Sequence, residues 1–104
     1  MKINKRLISV MGCAVFLSLT TGCATRTVDK HARNMAGSCA ACHGTNGHSV
    51  GGAPVLAGLD KTYFITQMKD FKSGARQATI MNKHAKGYSD EEFALLADFF
   101  AAQK

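Results

Sequence analysis

Two thiols and an imidazole lie within five consecutive residues of this chain, in the segment Cys39-Ala40-Ala41-Cys42-His43. A C-x-x-C-H run is the attachment signature of a c-type haem. The spacing has a chemical reason, because two cysteines three residues apart can each add to one of the two vinyl groups of haem, while the adjacent histidine ligates the iron. The motif therefore predicts one covalently bound haem c, attached through Cys39 and Cys42, with His43 as an axial ligand.

Two other kinds of site use the same cysteine spacing. A structural zinc site needs four nitrogen or sulfur ligands, and the other candidates are only His31, His48 and His84, with no second C-x-x-C in the chain. A thioredoxin-like dithiol requires a βαβ pattern, and no alternating β-rich segments surround the motif. We therefore favour haem over zinc and over a redox dithiol.

The N-terminal residues have the pattern of an export signal. Lys2, Lys5 and Arg6 precede an apolar stretch over residues 7–19, which is too short to be a stable membrane span. We expect residues 1–23 to be the signal peptide and residues 24–104 to form a single monohaem domain. A core built from so few residues is marginal, so the macrocycle itself is expected to form part of it.

The end of this signal has two interpretations. Residues 19–23, with the sequence LTTGC, resemble a bacterial lipobox in which Cys23 becomes the lipidated N-terminus, although the leucine is displaced by one position. Signal peptidase could instead cut after Ala24, since Gly22 and Ala24 are the small residues it requires. Both routes predict a periplasmic protein. We favour the first, in which a lipid on Cys23 anchors the protein to the membrane.

The charge of the chain falls once the signal is removed. The full sequence has 13 basic and 7 acidic residues, and loss of Lys2, Lys5 and Arg6 leaves ten basic residues against seven acidic ones. Two haem propionates lower the net charge further, to about +1. No basic stripe interleaved with aromatic residues is present, so the sequence argues against nucleic-acid binding.

Apolar residues at helical spacing predict an all-α domain. The first helix starts near residue 28 and runs into the haem motif, and the second covers residues 61–72. Residues 73–86 are expected to form a loop or a short helix. The last helix starts within residues 89–92 and continues to the C-terminus, where its apolar face should cross the first helix.

Several residues mark the ends and faces of these helices. Asp60 is a predicted N-cap, Gly74 a predicted C-cap, and residues 89–92 (SDEE) form a capping box beside the Tyr88 and Phe93 pair. By default, we expect three lysines of the second helix to lie on its solvent-exposed outer face. These are Lys61, Lys69 and Lys72.

Residues 44–58 are rich in glycine and predict an irregular loop that can wrap closely around a cofactor. Pro54 in this loop has no N–H, but its carbonyl can accept a hydrogen bond from His43 Nδ1 and fix the imidazole. Three residues compete for the opposite face of the iron, namely Met81, Met68 and His84. Met68 fits core packing better, and Met81 lies in a segment without a strong amphipathic pattern, which favours it as the sixth ligand.

The residues then resemble a known family. Cys39-Ala40-Ala41-Cys42-His43-Gly44-Thr45, Pro54-Val55-Leu56-Ala57-Gly58 and the aromatic C-terminal helix look like a class I cytochrome c of the small bacterial type. Phe71-Lys72-Ser73-Gly74, Thr79-Ile80-Met81 and Ala85-Lys86-Gly87-Tyr88-Ser89 are similar to the cytochrome subunit of flavocytochrome c sulfide dehydrogenase. This chain differs in one respect, since it carries one haem motif where some such subunits have two haem domains.

The resemblance implies a small class I cytochrome c fold, with N- and C-terminal helices packed across each other around one haem. It also implies His43 and Met81 as axial ligands, Pro54 as the carbonyl partner of His43, and a sulfide-oxidising flavoprotein as electron donor. We therefore expect an exported protein that transfers single electrons and is not itself an enzyme. The alternatives are a free periplasmic carrier of the c553 or c4 type serving a terminal oxidase, and a haem protein that binds or senses small ligands.

Overall fold

The computed structural model describes residues 29–104, and the expectations for residues 1–28, including the signal peptide, Cys23 and the helix start near residue 28, lie outside this range. The described residues form four α-helices and no strand. The helices are α1 (Lys30–His43), α2 (Lys61–Ser73), α3 (Met81–Ala85) and α4 (Asp90–Ala101), with a short 3-10 turn at Thr45–Gly47. Within residues 29–104, no helix has both the length and the apolar character needed to cross a membrane.

Side-chain caps determine where the helices begin. Asp29 caps α1 by accepting hydrogen bonds from the backbone N–H groups of His31 and Ala32. Asp60 caps α2 through the N–H of Tyr63, at 2.8 Å. Ser89 forms a reciprocal capping box with Glu92 at the start of α4. The caps at Asp60 and Ser89 are those expected from the sequence, and they satisfy N–H groups that have no partner within the helix.

The core lies where α4 packs across α1 and α2. Phe93, Leu96 and Phe100 of α4 are almost completely buried, and small residues of α1 allow the two helices to approach closely. The Phe64 and Phe100 rings are tilted against each other with their centroids 5.7 Å apart. The full set of buried apolar residues is Ala32, Ala36, Phe64, Met68, Ala85, Phe93, Leu96, Ala97, Phe99 and Phe100. The predicted crossing of the terminal helices is confirmed, and so is the all-α fold.

The glycine-rich segment after α1 folds into a loop that is anchored by backbone hydrogen bonds. The carbonyl of Gly47 accepts from the N–H groups of Leu56, at 2.9 Å, and Ala57, at 3.2 Å. The N–H of Gly58 donates to the carbonyl of Phe100 at 2.9 Å. The loop is therefore held against α4, which fixes the position of Pro54 relative to the end of α1.

One lysine of α2 does not occupy the expected solvated face. Lys61 and Lys69 are exposed, but Lys72 is half-buried, and its Nζ donates a hydrogen bond of 2.6 Å to the carbonyl of Tyr88. The same Nζ lies 5.5 Å from the ring centroid of Phe93. The expectation for Lys72 was wrong, because its ammonium group satisfies a backbone carbonyl just before α4 and lies near an aromatic ring.

Candidate functional site

The end of α1 presents the two cysteines and the histidine together. Cys39 and Cys42 are three positions apart in a continuous helix, so their side chains lie on the same side of α1. Both thiols are free, and Cys39 is half-buried whereas Cys42 is exposed. His43, the last residue of α1, is buried, with only 8% of its surface exposed. The helix thus places two nucleophilic sulfurs beside a sheltered imidazole.

A backbone carbonyl fixes the tautomer of this imidazole. His43 Nδ1 lies 2.7 Å from the carbonyl oxygen of Pro54. A carbonyl oxygen can only accept, so Nδ1 must carry the proton and donate it. In the neutral ring, Nε2 then keeps a free lone pair, which is the state a metal-ligating histidine requires. The loop that brings Pro54 to His43 therefore prepares the ring for coordination through Nε2.

The site opens into a cavity of about 500 Å³ that is bounded by the end of α1, the glycine-rich loop, α2 and α3. This volume lies within the usual range for small-molecule and cofactor pockets. Its lining brings together the five residues singled out from the sequence. These are Cys39, Cys42, His43, Pro54 and Met81.

The rest of the lining suits an apolar macrocycle. Leu56, Leu59, Phe64 and Phe71 contribute to the cavity wall. Two thiols placed for attachment, an imidazole held in its ligating tautomer and an apolar wall are the features that a covalently bound haem requires. The residues present therefore fit haem c.

The three candidates for the sixth ligand differ in their surroundings, although all of them line the cavity. Met68 belongs to the buried stripe of α2, with 7% of its surface exposed. His84 is exposed on α3. Met81 is half-buried and is the first residue of α3, a helix of only five residues. Its environment is thus intermediate between a core position and the solvent.

The Cys39 thiol does not have the electrostatics of a reactive dithiol cysteine. Burial raises the pKa of the Cys39 thiol, and a hydrogen bond with Ser38 opposes this effect only in part. Reactive C-x-x-C motifs depend on a lowered thiol pKa, so the direction here is opposite. Among residues 29–104, moreover, no three His, Cys, Asp or Glu side chains are grouped so that they could hold a metal ion.

Four residues in or beside the cavity make contacts that were not predicted from the sequence. Ser38 and Tyr88 join α1 to the start of α4 through hydroxyl groups 2.7 Å apart. Arg76 lines the cavity, and its guanidinium lies 4.6 Å from the ring centroid of Phe71. Asn82 follows Met81 and bonds only to backbone groups, for which a sequence has no local signal. The sequence did contain a signal for Arg76, because this basic residue lies only five positions before the candidate ligand Met81.

The domain is all-α, and its first helix ends in a C-x-x-C-H motif at the wall of an apolar cavity. These features define the class of c-type cytochromes. The cytochrome c family model matches residues 30–104, and the chain belongs to this family. It therefore carries covalently bound haem c and functions as a monohaem electron-transfer protein rather than as an enzyme. Cys39 and Cys42 have the spacing that attachment of this haem requires.

The curated relatives include a cytochrome subunit of sulfide dehydrogenase and proteins named cytochrome c4 and cytochrome c-553. The chain is 42% identical over 86 residues to the cytochrome subunit of sulfide dehydrogenase from Chlorobaculum tepidum, covering 78% of each chain. It is 38% identical over 103 residues to cytochrome c4 from Pseudomonas aeruginosa, covering 97% of this chain but only 49% of that protein. It is 29% identical over 102 residues to cytochrome c-553 from Helicobacter pylori, covering 96% of this chain and 99% of the relative. These similarities support a class I cytochrome that resembles the sulfide dehydrogenase subunit.

Proposed function

We propose that this chain is the single-haem cytochrome subunit, or the direct electron acceptor, of a sulfide-oxidising flavoprotein. The observation that carries the proposal is the 42% identity to the cytochrome subunit of sulfide dehydrogenase, which extends over 78% of both chains. The partner would pass single electrons to this chain, and haem iron supplies the one-electron ferrous and ferric couple when bound. The chain's own residues attach the haem through Cys39 and Cys42 and orient His43 through the carbonyl of Pro54.

We further propose His43 and Met81 as the axial ligands. The hydrogen bond from His43 to Pro54 supports the first assignment, and the half-buried position of Met81 in the cavity wall supports the second. A soft thioether opposite an imidazole favours reduced iron and raises the potential into the range of electron carriers. This ligand set is what distinguishes a carrier from a haem protein with an open sixth position.

Absorption spectra of ligand variants test the axial assignment. The ferric protein should be low-spin with a near-infrared methionine-to-iron band. This band should disappear in Met81→Ala and persist in Met68→Ala and His84→Ala. A band that survives in Met81→Ala and vanishes in Met68→Ala would assign the ligand to α2 instead. A high-spin ferric form that readily binds carbon monoxide once reduced would favour the ligand-binding or sensor alternative.

Electron transfer from a purified partner tests the proposed role. The ferric holoprotein is mixed with sulfide and a purified flavoprotein subunit of sulfide dehydrogenase, and haem reduction is followed by visible absorption. Reduction should require both components and should exceed the rate with sulfide alone. A haem-containing complex should also elute earlier than either protein in size-exclusion chromatography. Reduction that is unaffected by the flavoprotein would contradict the proposal.

The similarity to cytochrome c-553 over nearly its whole length favours a second candidate, a free carrier. Such a carrier would remain monomeric beside the flavoprotein and would instead be oxidised by membranes that contain a terminal oxidase. The two candidates therefore differ in complex formation as well as in their partner. The same size-exclusion measurement distinguishes them.

Both candidates include export, with residues 1–23 as the signal and residues 24–104 as the mature domain in the periplasm. Mass spectrometry of the mature N-terminus tests this part of the proposal. A diacylglyceryl group on Cys23 would establish the membrane anchor, whereas an N-terminus at Thr25 would establish cleavage after Ala24. A mature protein that begins with Met1 would contradict export.

A further inference from the structure

The amide of Asn82 joins three separate parts of the chain beside the cavity. Its Nδ2 donates to the carbonyl of Phe71, at the end of α2, at 3.1 Å. The same nitrogen donates to the carbonyl of Arg76 at 2.9 Å. Its Oδ1 accepts from the N–H of Ala78, also at 2.9 Å. Both hydrogens and the oxygen of this half-buried side chain are therefore used on backbone groups.

The segment that Asn82 contacts has few other attachments. Residues 74–80 connect α2 to α3, and Arg76 bonds back to the carbonyl of Asp70 at 3.1 Å. These connecting residues lie outside the helices. Within the part of the chain that the structure describes, none of the backbone-to-backbone hydrogen bonds involves Gln77, Ala78 or Thr79. Asn82 consequently substitutes for the backbone bonds that regular structure would supply.

This segment forms the cavity wall next to Met81. Gln77, Ala78, Thr79 and Ile80 all line the cavity. The α3 helix that follows has only five residues, and Ile80 gives its N-terminus no side-chain cap. A helix this short has little stability of its own. The position of Met81 therefore depends on what holds the segment before it. The Arg76 side chain contacts Gln67 and Phe71 of α2, whereas Asn82 bonds to the backbone of the segment itself, at Arg76 and Ala78.

We propose that Asn82 is a positioning residue for the distal ligand, which locks residues 74–81 over the cavity and keeps the Met81 thioether within reach of the iron. The inference rests on the proposed ligation by Met81. An external ligand of the iron binds only to those molecules in which the thioether is displaced. The apparent affinity of that ligand therefore rises as the displaced fraction rises. Loss of the Asn82 bonds should increase this fraction while the attachment site on α1 stays intact.

Imidazole binding to the ferric holoprotein measures this displaced fraction. Asn82→Ala should bind imidazole with an apparent dissociation constant roughly tenfold lower than that of the wild type, since three hydrogen bonds are lost. Asn82→Asp keeps an acceptor for Ala78 but turns a carboxylate oxygen towards two carbonyl oxygens. We therefore expect the apparent dissociation constant for imidazole to fall by at least as much as in Asn82→Ala. An affinity within twofold of wild type in Asn82→Ala would overturn the proposal.

A matched variant separates positioning from general destabilisation. Asp29→Ala removes the cap of α1, which bonds to His31 and Ala32 far along the chain from α3. Because loss of a cap is comparable in cost to loss of side-chain hydrogen bonds, this variant should unfold more easily yet bind imidazole as the wild type does. Equal tightening in both variants would show that imidazole reports only overall stability, and would refute a positioning role.

Hydrogen exchange gives a second readout that requires no variant. If the Asn82 bonds stabilise the state with Met81 bound, displacement of Met81 must weaken those bonds by reciprocity. The Ala78 amide should then exchange faster in the imidazole complex of the wild type than in the free ferric protein. An unchanged rate would overturn the proposal for Asn82. Failure of the Met81 assignment is recognised separately, since the methionine-to-iron band would then persist in Met81→Ala.

Discussion

Gly47 and Phe100 are packed together so closely that the backbone of the loop touches the core of the domain. A Cβ atom added to Gly47 would lie 2.9 Å from Phe100 Cδ1 and 2.8 Å from Leu56 Cβ. Gly47 also has a φ of 80°, which L-residues with a side chain rarely adopt. This contact fixes the glycine-rich loop on α4, and the loop in turn brings the carbonyl of Pro54 to His43.

Gly47→Ala should strongly destabilise the holoprotein. The added methyl group meets the loop backbone and Phe100, and the positive φ adds strain, so we expect a loss of about 2–4 kcal/mol in the free energy of unfolding. Guanidinium titration followed by circular dichroism measures the loss. The control is Gly51→Ala, because a Cβ there has no atom within 4 Å. Equal stability of the two variants would show that the close packing at Gly47 has no energetic consequence.

Much of the fold could be predicted because its signals are local. Asp60, Gly74 and Ser89 mark helix ends through bonds to residues no more than three positions away. The packing of Met68 into the core, which the sequence favoured, follows from helical periodicity alone. Such features depend on a few neighbouring residues, and the structure confirms each of them.

The features that were missed depend on contacts between distant parts of the chain. Lys69 and Lys72 look alike in the sequence, yet Lys72 reaches a carbonyl 16 residues away whereas Lys69 pairs with Asp90 at the surface. Asn82 likewise bonds to the backbone of residues 71–78, whose carbonyl directions depend on the folded loop. The attachment site was predictable because C-x-x-C-H has a covalent function, whereas the supporting residues carry no comparable signal.

The two lysines provide a matched pair of variants. Lys72→Ala should lower the free energy of unfolding by about 1–2 kcal/mol, since it removes a hydrogen bond from a charged donor and the interaction with Phe93. Lys69→Ala should change stability by less than about 0.5 kcal/mol, because exposed ion pairs contribute little. Thermal unfolding of both holoproteins tests the difference. A larger loss for Lys69→Ala would reverse the roles assigned to the two side chains.

Gly37 offers a stabilising substitution. It lies within α1, is exposed and has no atom within 4 Å of an added Cβ. Glycine in a helix interior costs backbone entropy, so Gly37→Ala should raise the free energy of unfolding by about 0.5–1 kcal/mol. Guanidinium titration of the holoprotein gives the change directly. A decrease in stability would indicate that α1 requires flexibility or an unfilled surface at this position.

Arg76 differs from the other lining residues in its charge. Among the described residues that line the cavity, it is the only one with a permanent charge. Its guanidinium is held by a hydrogen bond to Gln67 Oε1 and by the ring of Phe71, with which it forms a cation–π contact. The charge is therefore kept at the cavity instead of being free to move into solvent, although the residue is exposed.

Replacing Arg76 should consequently lower the reduction potential of the protein. A positive charge near the iron destabilises the ferric state more than the ferrous state, so Arg76→Gln should shift the equilibrium towards the ferric form. An exposed charge interaction of about 0.2–1 kcal/mol corresponds to a decrease of about 10–40 mV for one electron. Spectroelectrochemical titration measures the shift, and Arg33→Gln, on the exposed side of α1 away from the cavity lining, is the matched control. An equal decrease in both variants would mean that only net charge matters and that the position of Arg76 does not.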